Sequence, residues 1–159
     1  MPVKLREYEA RDATALRQCV VALQEFERLI DANLRPGDLM ADEYCAKLHE
    51  RCREASGQIL VAEHDDDVVG FVAVLAREPF TELDDPPGTY ALVTDLVVLA
   101  THRGKGIGRR LLDRAEAYAR DAGAAELRVG VLAKNTAARR LYLSRDFTPH
   151  LEVLAKRLR

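Results

Sequence analysis

The stretch that decides how this chain is interpreted is Arg103-Gly104-Lys105-Gly106-Ile107-Gly108-Arg109-Arg110. It carries four basic side chains, three glycines and no acid. It follows a Val- and Leu-rich stretch typical of a strand and opens an amphipathic stretch typical of a helix. A helix N-terminus offers unpaired N–H groups and partial positive charge, and glycines let a ligand approach the backbone closely. The stretch therefore predicts a site for a polyanion such as phosphate.

Two common phosphate-binding loops do not fit this stretch. The Walker pattern GxxxxGK[ST] needs a lysine followed by Ser or Thr, and the segment has neither the spacing nor the hydroxyl. The Rossmann pattern GxGxxG would need a glycine where the chain has Arg109, and it belongs near the first strand of a βαβ unit. The simplest alternative is a glycine-rich turn with solvated basic residues.

The flanking sequence predicts an alternation of strands and helices. Strands are predicted over residues 3–8, 58–63, 68–76, 90–99, 126–133 and 147–158. Helices are predicted from an N-cap at Asp12 to Ile30, from Met40 to Cys52, over residues 107–122 and over residues 135–145. The order β-α-α-β-β-β-α-β-α-β predicts an α/β fold in which helices cover both faces of a mixed sheet.

Length and composition predict a single domain over residues 1–159. The chain has 159 residues, close to the roughly 150 that one domain uses. With 24 basic and 26 acidic residues, its net charge of -2 argues against a protein that coats nucleic acid. It has no apolar run of about 18 residues and no signal-peptide pattern, so we expect no membrane span and a cytoplasmic location.

The cysteines and acidic turns do not predict a metal site. Cys19, Cys45 and Cys52 are an odd number without a CxxC pair, which favours free thiols in a reducing compartment. His49 shares one helical face with Cys45 and Cys52, but a single helix rarely completes a zinc site by itself. Asp65 to Asp67 are typical of a solvated turn.

Two motifs give the chain a family resemblance. Residues 103–108 have the form [RQ]-x-x-G-x-[GA] after the strand Asp95-Leu96-Val97-Val98, which is similar to motif A of the GCN5-related N-acetyltransferase (GNAT) superfamily. Further along, the family pattern N-x-x-A-x-x-L-Y-x-x-x-G-F is matched at Asn135, Ala138, Leu141, Tyr142 and Phe147. The glycine of that pattern is Asp146 here, at a helix end where a left-handed backbone is expected and where Asp is better tolerated than most residues.

The resemblance implies an acetyl-CoA-dependent enzyme with a mixed, mostly antiparallel, splayed sheet. The loop from Arg103 to Arg109 would wrap the pyrophosphate, and the backbone of Leu96 to Val98 would pair with the pantetheine arm. The family's oxyanion donor would be the N–H of Val97 or Val98. Asn135 would contact the cofactor, cap the short helix, or do both. The implied cofactor contacts are Leu96, Val97, Val98, Arg103, Gly104, Lys105, Gly106, Ile107, Gly108, Arg109, Asn135 and Ala138.

Acetyl transfer from a thioester to an amine needs a neutral amine and a proton for the leaving sulfur. Tyr142 is the implied general acid, because a phenol stays protonated at neutral pH; packing beside Leu141 is the alternative. Asp95 is the first candidate base, acting directly or through water, and Glu63 is the second. An ion pair is the alternative for Asp95. His102 is interpreted as a solvated turn residue.

The function predicted from these residues is N-acetyl transfer to a primary amine of a small molecule or peptide. A non-catalytic acyl-CoA sensor on the same fold is the alternative, although a pure binder needs neither Tyr142 nor Asp95. A nucleotide-binding regulator would bind ATP with no preference for CoA. No nucleic acid or membrane partner is expected, and a homodimer is an expectation from the family alone.

Acidic residues near two predicted loops favour a cationic acceptor. In the architecture that the resemblance implies, these segments border the acceptor side of the sheet, opposite the basic cofactor loop, and the acids would steer the two substrates to different ends. The alternative is that they only keep the surface solvated. These acids are Glu25, Glu27 and Asp31 near the end of the first helix, and Glu78, Glu82, Asp84 and Asp85 in the later loop.

Overall fold

Five strands form one sheet in their order along the chain, in a computed structural model that describes residues 2–158. The strands are β1 (Lys4–Glu7), β2 (Gly57–His64), β3 (Asp67–Pro79), β4 (Thr89–Val98) and β5 (Leu127–Val129). The helices are α1 (Ala13–Arg28), α2 (Gly37–Glu54), α3 (Ile107–Asp121) and α4 (Thr136–Ser144). Neighbouring strands from β1 to β4 pair antiparallel, and β4 pairs with β5 in parallel. The predicted mixed, mostly antiparallel sheet is therefore confirmed.

Helices cover both faces of this sheet, as predicted. The apolar stripe of α3, including Leu111 and Ala115, packs with Val72 and Val74 of β3 on one face. On the other face, α1 and α2 pack on side chains such as Phe71. Because β3 is buried on both sides, its sequence reads as a continuous apolar run rather than an alternation.

A bulge in β4 sets which face its side chains meet. Ala73 pairs with Asp95 but Val74 pairs with Val93, so Thr94 is an extra residue in β4. Before the bulge Val93 packs on the α3 face, whereas Val97 beyond it packs on the α1–α2 face. One extra residue exchanges inward and outward positions, so Asp95 is turned toward α1 and α2.

Strands β4 and β5 stay together only briefly. The parallel pairing joins Ala91–Val93 to Leu127–Val129, and β5 ends there although the sequence predicts a strand over 126–133. Beyond Val93 the strands separate, so the splayed sheet that the resemblance implied is confirmed. Among residues 2–158, the separation leaves the far end of β4 without a strand neighbour on that side.

The prediction of a last strand over residues 147–158 is wrong. The segment forms no helix or strand in the structure, and its large apolar side chains beyond Phe147 are exposed. An extended segment becomes a strand only when a neighbour supplies backbone hydrogen bonds. The three-residue β5 offers little edge for such pairing within the described residues. The exposed side chains are Leu151, Val153, Leu154 and Leu158.

A buried ion cluster joins β1, β2 and the start of α1. The guanidinium of Arg6 lies 2.7 Å from Asp12 and 2.6 Å from Glu63. Asp12 occupies the predicted N-cap position of α1, but its carboxylate does not cap that helix. It accepts instead from Arg6 and from the N–H of Glu9. The hydrogen bond from Arg6 is the main reason why the pKa of Asp12 is lowered.

The three cysteines form no disulfide in the described part of the chain. Cys19, Cys45 and Cys52 are free thiols, and within residues 2–158 no group of three or more His, Cys, Asp or Glu residues could hold a metal ion. None of the helices in the same part of the chain is both long enough and apolar enough to cross a membrane.

Candidate functional site

A cavity opens where β4 and β5 separate. Residues 93–96 of β4 form one wall, and residues 129–132 form the other. Side chains of two helices close the ends, namely Leu23 and Glu27 of α1 and Ala138 and Tyr142 of α4, with Asn135 beside them. The gap between the parallel strands β4 and β5 is therefore lined by both backbone and side chains.

The edge of β4 in this gap has backbone groups that β3 does not use. The N–H of Leu99 donates to Val69 of β3 at 2.8 Å. Because backbone groups alternate in direction along a strand, those of Leu96 and Val98 point to the opposite side, into the gap. The carbonyl of Val98 accepts from Arg103 Nε at 2.9 Å, which fits that direction. This edge can therefore receive the amides of an extended ligand.

The predicted phosphate loop lies at the start of α3. Gly104 and Gly106 have φ of 75° and 77°, a backbone that L side chains rarely adopt. A Cβ added at either glycine would meet no atom within 4 Å. The glycines are thus required by backbone conformation and not by packing, and they leave open space above the helix N-terminus. Arg103, Lys105 and Arg109 around them are exposed.

Asn135 caps α4. Its side-chain oxygen accepts from the N–H of Ala138 at 3.2 Å. The side chain also lines the cavity, so capping and ligand contact remain compatible because the amide has further hydrogen-bonding atoms.

Tyr142 is the buried aromatic residue of the cavity. Its side chain is 8% exposed, and its ring lies 5.7 Å from that of Phe147. Asp146, which precedes Phe147, has φ of 66°, the left-handed backbone expected at this helix end. Burial, with smaller effects from the charges of Glu27 and Asp95, raises the pKa of Tyr142 to about 12. The phenol therefore stays protonated at neutral pH.

Asp95 is buried with one carboxylate oxygen unsatisfied. The residue is 5% exposed, and Oδ1 accepts from the hydroxyl of Tyr44 at 2.6 Å. Oδ2 has no hydrogen-bond partner within the described residues. Burial raises the pKa of Asp95, and the hydrogen bond from Tyr44 opposes that rise. The hydrogen-bond partner of this buried carboxylate is a phenol and not a cation. Such an arrangement destabilises the folded chain unless the carboxylate serves a ligand.

Glu27 is the site residue that sequence reasoning missed, because it appeared there only among the acids near the end of the first helix. In the structure it lines the cavity, and burial followed by the charge of Asp95 raises its pKa. The sequence did contain a signal. Leu16, Val20, Leu23 and Glu27 follow one another at spacings of four, three and four, so Glu27 continues the buried stripe of α1.

Two other candidates lie outside the cavity. Glu63, the second candidate base, is bound by Arg6 in the buried ion cluster. The ring of His102 meets that of His64, with Nε2 and Nδ1 3.0 Å apart. Neither residue lines the cavity between β4 and β5.

Several of the remaining acids of the predicted acidic rim have other partners. Glu25 accepts from the N–H of Gly37, Asp31 from Asn33, and Glu78 pairs with Arg51 at 3.2 Å. Of the acids near the end of the first helix, only Glu27 lines the cavity. Of the predicted acidic rim, Glu27 is thus the residue that lines the cavity, where it is joined by Asp95 of β4.

The sequence matches known proteins over most of its length. Residues 23–147 match the model of the acetyltransferase (GNAT) family. A protein of Archaeoglobus fulgidus, described as an uncharacterized N-acetyltransferase, is 37% identical in an alignment 97 residues long that covers 55% of this chain and 58% of that protein. The matched region thus spans little more than half the length of that relative.

Solved structures share the fold at low identity. A transcriptional regulator from Bacillus halodurans has 20% identity and a TM-score of 0.75, over 99% of this chain and 100% of that one. A predicted acetyltransferase with acetyl-CoA from Clostridium acetobutylicum has 18% identity and a TM-score of 0.73, over 98% of this chain and 96% of that one. At such identities the likeness shows the fold alone, and function must come from the site.

Proposed function

The chain belongs to the acetyltransferase (GNAT) family, and from this membership we propose that it moves an acetyl group from acetyl-CoA directly to a primary amine. One observation carries the proposal. The unpaired edge of β4 begins beside the phosphate loop and borders a cavity that contains Tyr142 and Asp95. Anion loop, free strand edge and titratable groups thus lie along one path.

The loop and the strand edge suit the two halves of the cofactor. Backbone N–H groups around Gly104 and Gly106 are proposed to hold the pyrophosphate, because the space above them is open and the helix end favours negative charge. The backbone of Leu96 and Val98 is proposed to pair with the pantetheine amides. Of the two predicted oxyanion donors, Val98 is favoured, since alternation turns the N–H of Val97 toward β3.

Tyr142 is proposed to stabilise the departing sulfur. A thiol titrates near 8.5, well below the pKa of about 12 to which burial raises Tyr142, so full proton transfer from the phenol to the thiolate is uphill. The phenol therefore acts first as a hydrogen-bond donor to the developing thiolate. Full proton transfer to sulfur follows when another proton replaces the one that the phenol gives up. Its raised pKa keeps the donor proton in place across the physiological range.

Asp95 is proposed to attract the acceptor amine and to help remove its proton. Its raised pKa makes the carboxylate a stronger base than an exposed aspartate, and Oδ2 lacks a partner in the described chain. Transfer through a water molecule is an equivalent route for the same proton.

Gly106→Val is expected to weaken acetyl-CoA binding at least tenfold, or about 1.4 kcal/mol, because a branched side chain would occupy the space that phosphate needs. Gly123→Val is the matched control. Gly123 has φ of 85° and open surroundings, so it imposes a similar backbone strain at the other end of α3. Titration calorimetry should show weaker binding only for the first variant. Equal affinities of the two folded variants would remove the loop from the cofactor site.

Acetyl transfer itself is tested by release of free thiol from acetyl-CoA in the presence of a panel of amines. We expect thiol release that depends on both substrates. A non-catalytic sensor would bind acetyl-CoA tightly without amine-dependent release, and a nucleotide regulator would bind ATP as well as CoA. The panel contains small amines and lysine peptides, because both acceptor classes remain in the proposal.

Three properties beyond the chemistry are part of the same proposal. We propose one domain over residues 1–159, a cytoplasmic location, and no nucleic acid partner, the last from the net charge of -2. A homodimer is proposed from the family alone, and sedimentation velocity at two protein concentrations tests it.

A further inference from the structure

The cavity between β4 and β5 has an unbalanced charge. Two carboxylates line it, those of Asp95 and Glu27. No lysine, arginine or histidine is among the described side chains that form its wall. Arg51 acts on Asp95 electrostatically, but its guanidinium is paired with Glu78 at 3.2 Å. The negative charge of these two carboxylates is therefore not balanced by any cation of residues 2–158 inside the cavity.

The unpartnered oxygen of Asp95 shows that this is more than an acidic surface. Oδ2 has no hydrogen-bond partner among residues 2–158, and Asp95 is only 5% exposed. The neighbouring Thr94 hydroxyl donates to the carbonyl of Ala73 at 3.5 Å. Tyr44 fixes the other oxygen at 2.6 Å and so holds the carboxylate in one orientation. Buried polar atoms are normally satisfied, so an oriented carboxylate with a vacant oxygen indicates a donor that arrives from outside the chain.

We propose that the acceptor nitrogen enters as an alkylammonium ion bound between Asp95 and Glu27, and that Glu27 passes its first proton to solvent. This inference rests on the proposed function, because it assigns the acceptor end of the same cavity. Glu27 can exchange a proton with solvent because it is only partly buried, whereas Asp95 is buried. Asp95 then holds the ammonium ion in place and can accept its proton, and Glu27 exchanges that proton with solvent.

The proton and electron balance is complete without another reactant. The ammonium nitrogen gives one proton to a carboxylate oxygen of the pair and becomes a neutral amine. Its lone pair forms the C–N bond to the thioester carbonyl carbon, the C–S bond breaks, and the bonding electrons leave with sulfur. The new amide nitrogen loses a second proton while the thiolate gains one, so one proton in total reaches solvent through Glu27.

The groups around Glu27 predict the direction of its pH response. Burial is the main reason why the pKa of Glu27 is raised, and the negative charge of Asp95 on β4 is the second. Tyr142 on α4 and Tyr44 on α2 are neutral phenols at pH 7, and their pKa values are raised in turn by the charge of Glu27. Ammonium binding needs ionised carboxylates, so kcat/KM should fall as pH falls through this raised pKa, above the usual range of a glutamate.

The test compares two probes of similar size, ethylamine and 2,2,2-trifluoroethylamine, at pH 7.5. The first is an ammonium ion at this pH, and the second is largely a neutral amine. Glu27→Gln should lower kcat/KM about thirtyfold for ethylamine, or about 2 kcal/mol, and no more than about threefold for the fluorinated probe. Glu43→Gln is the matched control on exposed α2 surface, and it should change neither value.

Each outcome decides a different claim. Selective loss for ethylamine, with an unchanged acetyl-CoA dissociation constant and loss of the acidic limb of the pH profile, supports the ammonium site. Equal losses for both probes would make Glu27 a structural residue, and no loss would remove it from the site; either result overturns the inference alone. Absence of transfer to any amine by the wild type would overturn the proposed function, and the inference with it.

Discussion

Tyr142→Phe is expected to lower kcat about 10²-fold while leaving acetyl-CoA affinity and the fold unchanged. The ring is buried against Phe147, so the phenylalanine keeps the packing and removes only the hydroxyl. Without that hydroxyl the leaving sulfur would have no phenol to donate to it. Steady-state turnover with chemistry as the slow step measures the loss, and calorimetry with CoA checks the binding site.

Tyr118→Phe is the control for loss of a tyrosine hydroxyl elsewhere. Tyr118 lies on α3 and donates to the carbonyl of Ser56 at 2.8 Å, away from the cavity. This change should cost about 1 kcal/mol of stability and leave kcat unaltered. Wild-type turnover in Tyr142→Phe would assign Tyr142 to packing beside Phe147.

Arg6→Met is expected to lower the free energy of unfolding by about 3 kcal/mol, the lower end of the cost of removing one partner from a buried ion cluster. Asp12 and Glu63 would then lie close together with no guanidinium between them. The three side chains are 12%, 5% and 14% exposed, so water offsets little of the loss. Urea unfolding at pH 7 measures it.

The pH dependence of the same variant should be inverted. In the wild type the pKa of Asp12 is lowered, so this group contributes stability at neutral pH that is lost as pH falls through the folded-state pKa. In Arg6→Met the buried carboxyl of Asp12 loses the cation that lowers its pKa, so burial should raise that pKa above its unfolded value. Stability should therefore rise as pH falls from 7 toward 5.

The exposed pair Arg17–Asp42, at 2.7 Å, supplies the control. Arg17→Met removes an arginine from a partner that is 82% exposed, so it should cost under about 1 kcal/mol at any pH in this range. Similar losses in the two variants would show that the cluster around Arg6 is no stronger than a surface ion pair.

Local chemistry made much of the architecture readable from the sequence. The glycines and basic residues of 103–110 predicted an anion loop at the start of a helix, and α3 begins at Ile107. The spacing from Asn135 to Tyr142 located α4, and the bounds of β2, β3 and β4 came within a few residues of prediction. These features depend on neighbours in the chain, so backbone preferences and periodicity are sufficient to reveal them.

Features that depend on distant partners were not readable in this way. The apolar content of residues 147–158 favoured a strand, yet a strand forms only beside an available edge, and β5 is too short to supply one within the described chain. Glu63 was a plausible base by position on its strand, but Arg6, which is 57 residues away in the chain, binds it.

The sequence by itself predicted the type of site: an anion loop and a strand leading into it, with a tyrosine and an aspartate to which the family resemblance assigned roles. Only the tertiary structure decided which acids meet. The bulge at Thr94 reverses the facing of β4, turns Asp95 toward α1, and brings it to the cavity that Glu27 also lines. A periodic pattern fixes the face of an element, whereas the register between strands and the packing of helices decide what that face meets.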